Sequence, residues 1–331
     1  MRIAFIGVSH WHAPLYYRPA VRLSGVRVVG VSDPDDAVAR RVGAELDVPG
    51  FSDHRALVEA TAPDFAFVFG RHCDLAGIAG WLIERGVPML LEKPGGINAT
   101  EVALLRDQAA ARGAHVGVGF NFRAGDMCRS LQAAIGDDAL TFAAFRYIGG
   151  GPYRYRESGC AWMLDPAQSG GGCTINLAVH FFDLFRLLSR AEPAEVSALM
   201  SNTSWNLPVE DFSAVTVRAP GAVCTVETGY AYPADTGAFD LHFSLRTTRK
   251  YIVVRADGAM EVRRLADGAV MQSEVMPRNA PLYPLFVQTC IDRFARGQPP
   301  LATLDDLSRA MAVVDAAYAA SRAGGTRVLV H

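Results

Sequence analysis

The chain has 331 residues, 50% of them apolar and 20% charged, and 32 Lys+Arg against 34 Asp+Glu leave a net charge of −2. That composition buries a large core and excludes disorder as the main state, and the length suits two domains at roughly 100–200 residues each. Balanced charge without a basic block argues against nucleic acid or an anionic membrane as partner, and the apolar runs are too short to span a bilayer. The stretch from Met1 to Gly7 is too short for the apolar region of a secretory signal, so a cytoplasmic location is expected.

Residues 3–6 form an apolar run that ends at Gly7, and Pro14 opens a helix, since proline is tolerated in a first turn. A second strand over 27–32 ends at Asp33, and a helix follows over 35–46. The run 64–69 (DFAFVF) reads as a buried strand before a helix over 74–86. A strand over 87–91 then meets Glu92-Lys93-Pro94. Thr100 is placed to cap a helix over 101–113. The strand 116–120 closes this half. Short apolar strands alternating with helices indicate a parallel sheet covered on both faces.

After about residue 121 the pattern changes. A helix over 125–135 leads to a strand over 139–148. An irregular loop, 149–169, rich in Arg and aromatic residues, follows. The triplet Gly170-Gly171-Gly172 precedes an apolar helix over 173–189. Alternating runs from 193 to 265 read as antiparallel strands, with turns at Asp257-Gly258 and Asp267-Gly268. Helices over 283–296 and 304–322 close the chain. No repeat or long linker separates the halves, so they are expected to pack together.

Six cysteines lie at 73, 128, 160, 173, 224 and 290. No two are three residues apart, so they read as reduced, buried thiols. The basic residues are more informative: only Lys93 and Lys250 are lysines and the other 30 are arginines. A compact ammonium, whose pKa burial can lower, differs from a planar guanidinium, which singles out Lys93. It follows the carboxyl end of a parallel strand, where ligands bind in open α/β sheets. Glu92 beside it is a candidate to hold the ammonium.

The first strand–turn–helix is the place for a glycine fingerprint that brings backbone close to a pyrophosphate. The turn reads Gly7-Val8-Ser9-His10-Trp11-His12. Only the first glycine is present; Ser9 and His12 occupy the other two positions. Asp33 lies 21 residues after His12. A carboxylate at about that spacing accepts hydrogen bonds from a ribose diol and repels a 2′-phosphate, which favours NAD over NADP; helix capping is the alternative for Asp33. His10 and His12 lack a third ligand nearby, so no metal is expected. In the apolar helix, Asn176, His180 and Asp183 fall within about 60° of one another at ~100° per residue. Three polar groups on a buried face need partners or a cavity. His180 is a proton acceptor near neutral pH, and Asp183 a group that could orient its ring.

Glu92-Lys93-Pro94, the segment GGGCTINLAVHFFDL (170–184) and GFNFR (119–123) together resemble the Gfo/Idh/MocA oxidoreductases. The resemblance implies an N-terminal α/β Rossmann domain (1–121) and an α+β C-terminal domain (122–331). The latter would carry a large open, mainly antiparallel sheet and bind substrate. It further implies NAD(P)-dependent oxidation or reduction of a sugar, cyclitol or related polyol by a homodimer or homotetramer. Carried over residue by residue, Lys93, His180 and Asn176 are the catalytic candidates. Gly7, Ser9, His10, His12, Asp33, Arg71, Glu92 and Lys93 are the cofactor set, and Arg123, Asp183 and Trp162 the substrate set.

Three features depart from the family pattern. Asn176 stands where the family has Asp, the glycine fingerprint is degraded, and Gly70-Arg71-His72 replaces a Thr-Pro-like turn. Lys93, Arg71 and Arg123 would together suit a carboxylated or phosphorylated substrate, unless Arg71 pairs with Glu92. Two other functions fit the same fold: NAD-dependent glycoside cleavage, and a non-catalytic dinucleotide or ligand sensor.

Overall fold

The computed structural model describes residues 1–233 and 238–330. The first half alternates strand and helix: β1 (Arg2–Ile6), α1 (Ala13–Ala20), β2 (Arg27–Ser32), α2 (Asp36–Leu46), β3 (Gly50–Phe51), α3 (His54–Thr61), β4 (Phe65–Val68), α4 (His72–Glu84), β5 (Met89–Leu91), α5 (Ala99–Arg112) and β6 (Val116–Val118). Its strands pair in parallel in the order β3-β2-β1-β4-β5-β6. Helices cover both faces, which is why runs such as Phe65–Val68 are buried throughout. Strand order reverses between β1 and β4, and the carboxyl ends of these strands open a crevice at that point.

The second half contains α6 (Asp126–Ile135), β7 (Leu140–Gly150), α7 (Tyr153–Glu157), α8 (Pro166–Ser169), α9 (Val179–Ser189), β8 (Glu195–Ser201), β9 (Phe212–Ala219), β10 (Ala222–Tyr232), β11 (Asp240–Thr247), β12 (Lys250–Arg255), β13 (Ala259–Arg264), β14 (Val270–Glu274), α10 (Tyr283–Ala295), α11 (Leu304–Arg322) and β15 (Val328–Leu329). A nine-stranded sheet runs β14-β13-β12-β11-β7-β10-β9-β8-β15, antiparallel except between β7 and β10. Its hairpins turn where expected, with the carboxylates of Asp257 and Asp267 accepting from the amides of Ala259 and Ala269.

The two halves share an apolar core. One continuous cluster runs from Leu91 in the first sheet through Phe181 on α9 to Val314 on α11. Helix α10 returns to pack on α1, placing Phe286 and Val287 against the first half, and α11 packs on α5. Each such side chain contributes about 1.5–3 kcal/mol by leaving water. A capping box between Thr303 and Asp306 starts α11 at the residue the sequence indicates.

Several local expectations need correction. Asn98, not Thr100, caps α5, its side chain accepting from the Glu101 amide. The segment 149–169 is not irregular throughout: it holds α7, α8 and a 3₁₀ turn over Ala161–Leu164. The helix expected over 173–189 begins with a π turn, Thr174–Ala178, before α9. All six cysteines are free thiols, five of them buried and Cys73 partly so. Among the described residues no helix is long and apolar enough to cross a membrane.

Candidate active site

Gly7 ends β1 with φ +77°, and a Cβ there would stand 2.1 Å from the Phe69 carbonyl oxygen, so only glycine fits. Asp33, at the end of β2, is buried and ties down this turn. Its carboxylate accepts from the Ser9 amide at 2.6 Å and the Asp35 amide at 3.0 Å. Helix α2 is capped by Asp35 instead. Gly7, Ser9, Asp33, Gly70, Arg71 and Trp162 line a crevice of about 510 Å³. Ser32 Oγ, also in its lining, is buried without a hydrogen-bond partner among the described residues. A carboxylate offers about four acceptor directions, so Asp33 keeps capacity for a diol. A backbone cradle without a Cβ, a spare carboxylate and an unpartnered hydroxyl together fit a dinucleotide.

Arg71 lies at the edge of this crevice. It is held by Asp74 at 2.6 Å and Gln168 at 3.0 Å, not by Glu92. Trp162, expected near substrate, lines the crevice too, its ring 5.0 Å from His72 and 5.8 Å from His10. His10 is buried in the wall of the turn, where its Nδ1 accepts from the His12 amide. Burial holds His72 down to about 3, so that ring is neutral.

The turn from Gly7 to His12 lines both the crevice, through Gly7 and Ser9, and a second cavity of about 390 Å³, through Trp11 and His12. Trp11, Lys93, Arg154, Asn176, His180 and Arg278 are in its lining, and His12, placed with the cofactor set by sequence, lies here as well. Lys93 follows β5 and is 3% exposed. Its Nζ donates to the Asn176 carbonyl at 2.8 Å and to Asn176 Oδ1 at 2.7 Å. Glu92 does not take the ammonium: it accepts from Tyr16 Oη at 2.7 Å and meets His12 Nδ1 at 3.2 Å. Burial lowers Lys93 to about 8, opposed by the charge of Glu92 and aided by that of Arg154. Burial also lifts Glu92 above the usual carboxylate range, opposed by Lys93.

His180 stands edge-on to Phe120 and Phe122, and burial, then the charges of Lys93 and His12, hold it well below the usual histidine range. The ring is therefore neutral at pH 7. Its Nδ1 has no hydrogen-bond partner among the described residues. Asp183 does not orient it. Both Asp183 oxygens are taken by Arg123, at 2.9 and 2.5 Å, and Arg123 also bonds Asp306. This pairing fastens the 3₁₀ turn Asn121–Ala124 to α9 and α11. The expected trio of Lys93, Arg71 and Arg123 is not assembled, because both arginines are paired elsewhere. Arg154 and Arg278 line the cavity with Lys93 in their place.

Asn176 joins two parts of the site. Its Nδ2 donates to Tyr155 Oη at 2.7 Å and Tyr230 Oη at 3.0 Å, and Arg154 Nη2 donates to the same Tyr155 oxygen at 3.0 Å. Lys93, Asn176, Tyr155 and Arg154 thus form one hydrogen-bonded chain. Arg154 and Tyr155 fall in the loop whose Arg-rich, aromatic composition was its signal; Tyr230 and Arg278 carry none in sequence. Among the described residues no group of three His, Cys, Asp or Glu side chains could hold a metal ion.

A six-stranded parallel sheet in this order, with a crevice at the switch point, is the doubly wound α/β fold whose carboxyl-end crevice takes dinucleotides. The chain belongs to the GFO/IDH/MocA family. Residues 1–120 match its model of an oxidoreductase family with an NAD-binding Rossmann fold, and residues 139–253 match a GFO/IDH/MocA C-terminal domain. Inositol 2-dehydrogenase 1 of Saccharopolyspora erythraea is 26% identical over 326 residues, covering 91% of this chain and 88% of that protein. An oxidoreductase from Agrobacterium radiobacter, solved with NAD+, L-tartaric acid and magnesium, superposes with a TM-score of 0.87. It is 18% identical and covers 100% of this chain and 98% of that one. An inositol dehydrogenase homologue from Azotobacter vinelandii, complexed with NAD+, gives a TM-score of 0.86 at 16% identity, covering 99% and 97%.

Proposed function

We propose that this oxidoreductase acts on a secondary hydroxyl of a sugar- or cyclitol-like polyol, with NAD in the crevice and substrate in the Lys93–His180 cavity. The observation that carries the proposal is one cavity, beside the crevice, that holds a neutral buried histidine and a buried ammonium. When bound, the nicotinamide supplies the hydride acceptor. Neutral His180 takes the hydroxyl proton, as a general base must. The ammonium of Lys93 donates to the reacting oxygen and stabilises the negative charge that grows there. Asn176 fixes the ammonium through two acceptors without neutralising it. The relative named inositol 2-dehydrogenase supports the polyol class.

In the dinucleotide crevice, Asp33 accepts from the ribose diol and sets the preference for NAD. Gly7 and Ser9 bring backbone to the pyrophosphate. His180→Ala tests the reading: substrate-dependent NADH formation should be lost while NAD+ binding, read by calorimetry, remains. Undiminished turnover in that variant would remove His180 from the chemistry.

A further inference from the structure

Three cations, Lys93, Arg154 and Arg278, line the substrate cavity, and among the described residues no Asp or Glu is in its lining. The largely buried arginines Arg123 and Arg186 are paired, with Asp183 and Glu192, and Arg71 in the neighbouring crevice is paired with Asp74. Arg154 differs. Among the described residues no carboxylate pairs with it, and its Nε has no hydrogen-bond partner. The rings of Trp11, Tyr155 and Tyr230 surround the guanidinium at 5.8, 4.9 and 5.7 Å. Such faces offset part of the desolvation of a cation but do not replace an anion. Glu92, the nearest acid to Lys93, is directed to Tyr16 and His12.

We infer that the substrate is a polyhydroxy carboxylate and that Arg154 is the specificity-determining residue that receives its carboxylate. The inference rests on the dehydrogenase reading of this cavity. A planar fork matches a carboxylate in two parallel hydrogen bonds, which a point-charge lysine does not. The chain Arg154–Tyr155–Asn176–Lys93 fixes the carboxylate subsite relative to the ammonium at the reacting oxygen. A neutral polyol would leave the guanidinium unpaired, and sites built around a buried polar group discriminate strongly against analogues that lack its partner. Arg278, exposed at the cavity rim and stacked over Phe239, adds charge at the entrance.

The test is calorimetric titration of the NADH-loaded protein with matched pairs: D-gluconate against D-glucitol, D-galactonate against D-galactitol, and D-glucuronate against D-glucose, with D-glucose 6-phosphate as a separate arm. At least one carboxylate should bind more than tenfold tighter than its neutral partner. Arg154→Gln should reduce that preference by roughly tenfold to a hundredfold, the effect of losing a charge-assisted hydrogen bond. If Arg154→Gln lacks a cooperative thermal transition, Arg154→Lys, which keeps charge without the fork, carries the same comparison and should also lower the preference.

Equal or tighter binding of the neutral partners, no saturable binding of any carboxylate, binding of the phosphate ester alone, or a preference intact in the variant that folds would each overturn the inference. Oxidation of a neutral polyol that depends on His180 would leave the dehydrogenase reading standing while this one fell. Failure of NADH to bind would instead strike that reading.

Discussion

Replacing Asn176 by Asp puts a carboxylate 2.7 Å from the Lys93 ammonium, where Oδ1 now accepts. Burial brings Lys93 from 10.5 to about 8. That difference corresponds to roughly 3 kcal/mol of penalty on the protonated form. An opposite charge in contact raises such a pKa by about 1–3, so Asn176→Asp should return Lys93 toward the ordinary lysine range. The hydroxyls of Tyr155 and Tyr230, which accept from Asn176 Nδ2, can rotate to donate to the new carboxylate. If the ammonium must be charged to hold the reacting oxygen, kcat/KM of the native enzyme falls as pH rises through about 8. In Asn176→Asp that alkaline limb should move up, and the limb set by His180 should move the same way, by less. Stability gives a second reading. A folded-state pKa below the unfolded value contributes stability that is full above the unfolded value and is lost as pH falls through the folded one. The native protein should therefore gain stability from this group between about 8 and 10.5, and Asn176→Asp should gain less. Urea unfolding across that window measures it. An alkaline limb that stays at its native pH would refute the reasoning, because Lys93 would then not be the titrating group.

Other outcomes follow from the same geometry. Asp33→Ala should weaken NADH binding by roughly tenfold or more, the loss of charged acceptors, and narrow the preference over NADPH; unchanged affinities for both would dissociate Asp33 from the ribose. Lys93→Arg should lower kcat by about a hundredfold despite retained charge, since the guanidinium cannot place a compact donor; near-native turnover would return Lys93 to a structural role. Tyr16→Phe removes the 2.7 Å donor to buried Glu92 and should cost about 1.5–3 kcal/mol in urea unfolding, whereas an unchanged midpoint would mean that Glu92 is protonated and already satisfied. Gly7→Ala forces a Cβ to 2.1 Å from a carbonyl oxygen at φ +77°, so NAD+ binding should be lost with the shape of the turn; native affinity would show that the backbone there can yield.

The parallel sheet was legible because its strands are buried on both faces and read as short apolar runs, as at Phe65–Val68. Strand β3, only two residues long, gave no such run. Strand β14 is exposed along its length and lacks the alternation that marks a half-buried strand. Lys93 and His180 were found by composition and helical spacing, yet the same spacing misjudged Asp183. A helical wheel assumes 3.6 residues per turn, and the π turn over Thr174–Ala178 breaks that period between Asn176 and the rest of the helix. Asn176 serves Lys93; His180 and Asp183 both lie in the regular helix α9, and there the tertiary partner Arg123, not the helical period, claims the Asp183 carboxylate. Arg71 pairs locally, with Asp74 three residues on, but the partners of Arg123 are tertiary. Nothing local to Arg123 or Arg154 tells which of the two faces a cavity with no carboxylate among the described residues.

The most direct test of the account is NADH formation by the native protein and by His180→Ala over one panel of polyols and polyhydroxy acids, at saturating NAD+. The account predicts substrate-dependent NADH formation by the native protein. It predicts a loss of at least about a hundredfold in His180→Ala, the scale of general base catalysis, with NAD+ affinity unchanged. Comparable turnover by the two proteins on the same substrate would contradict it.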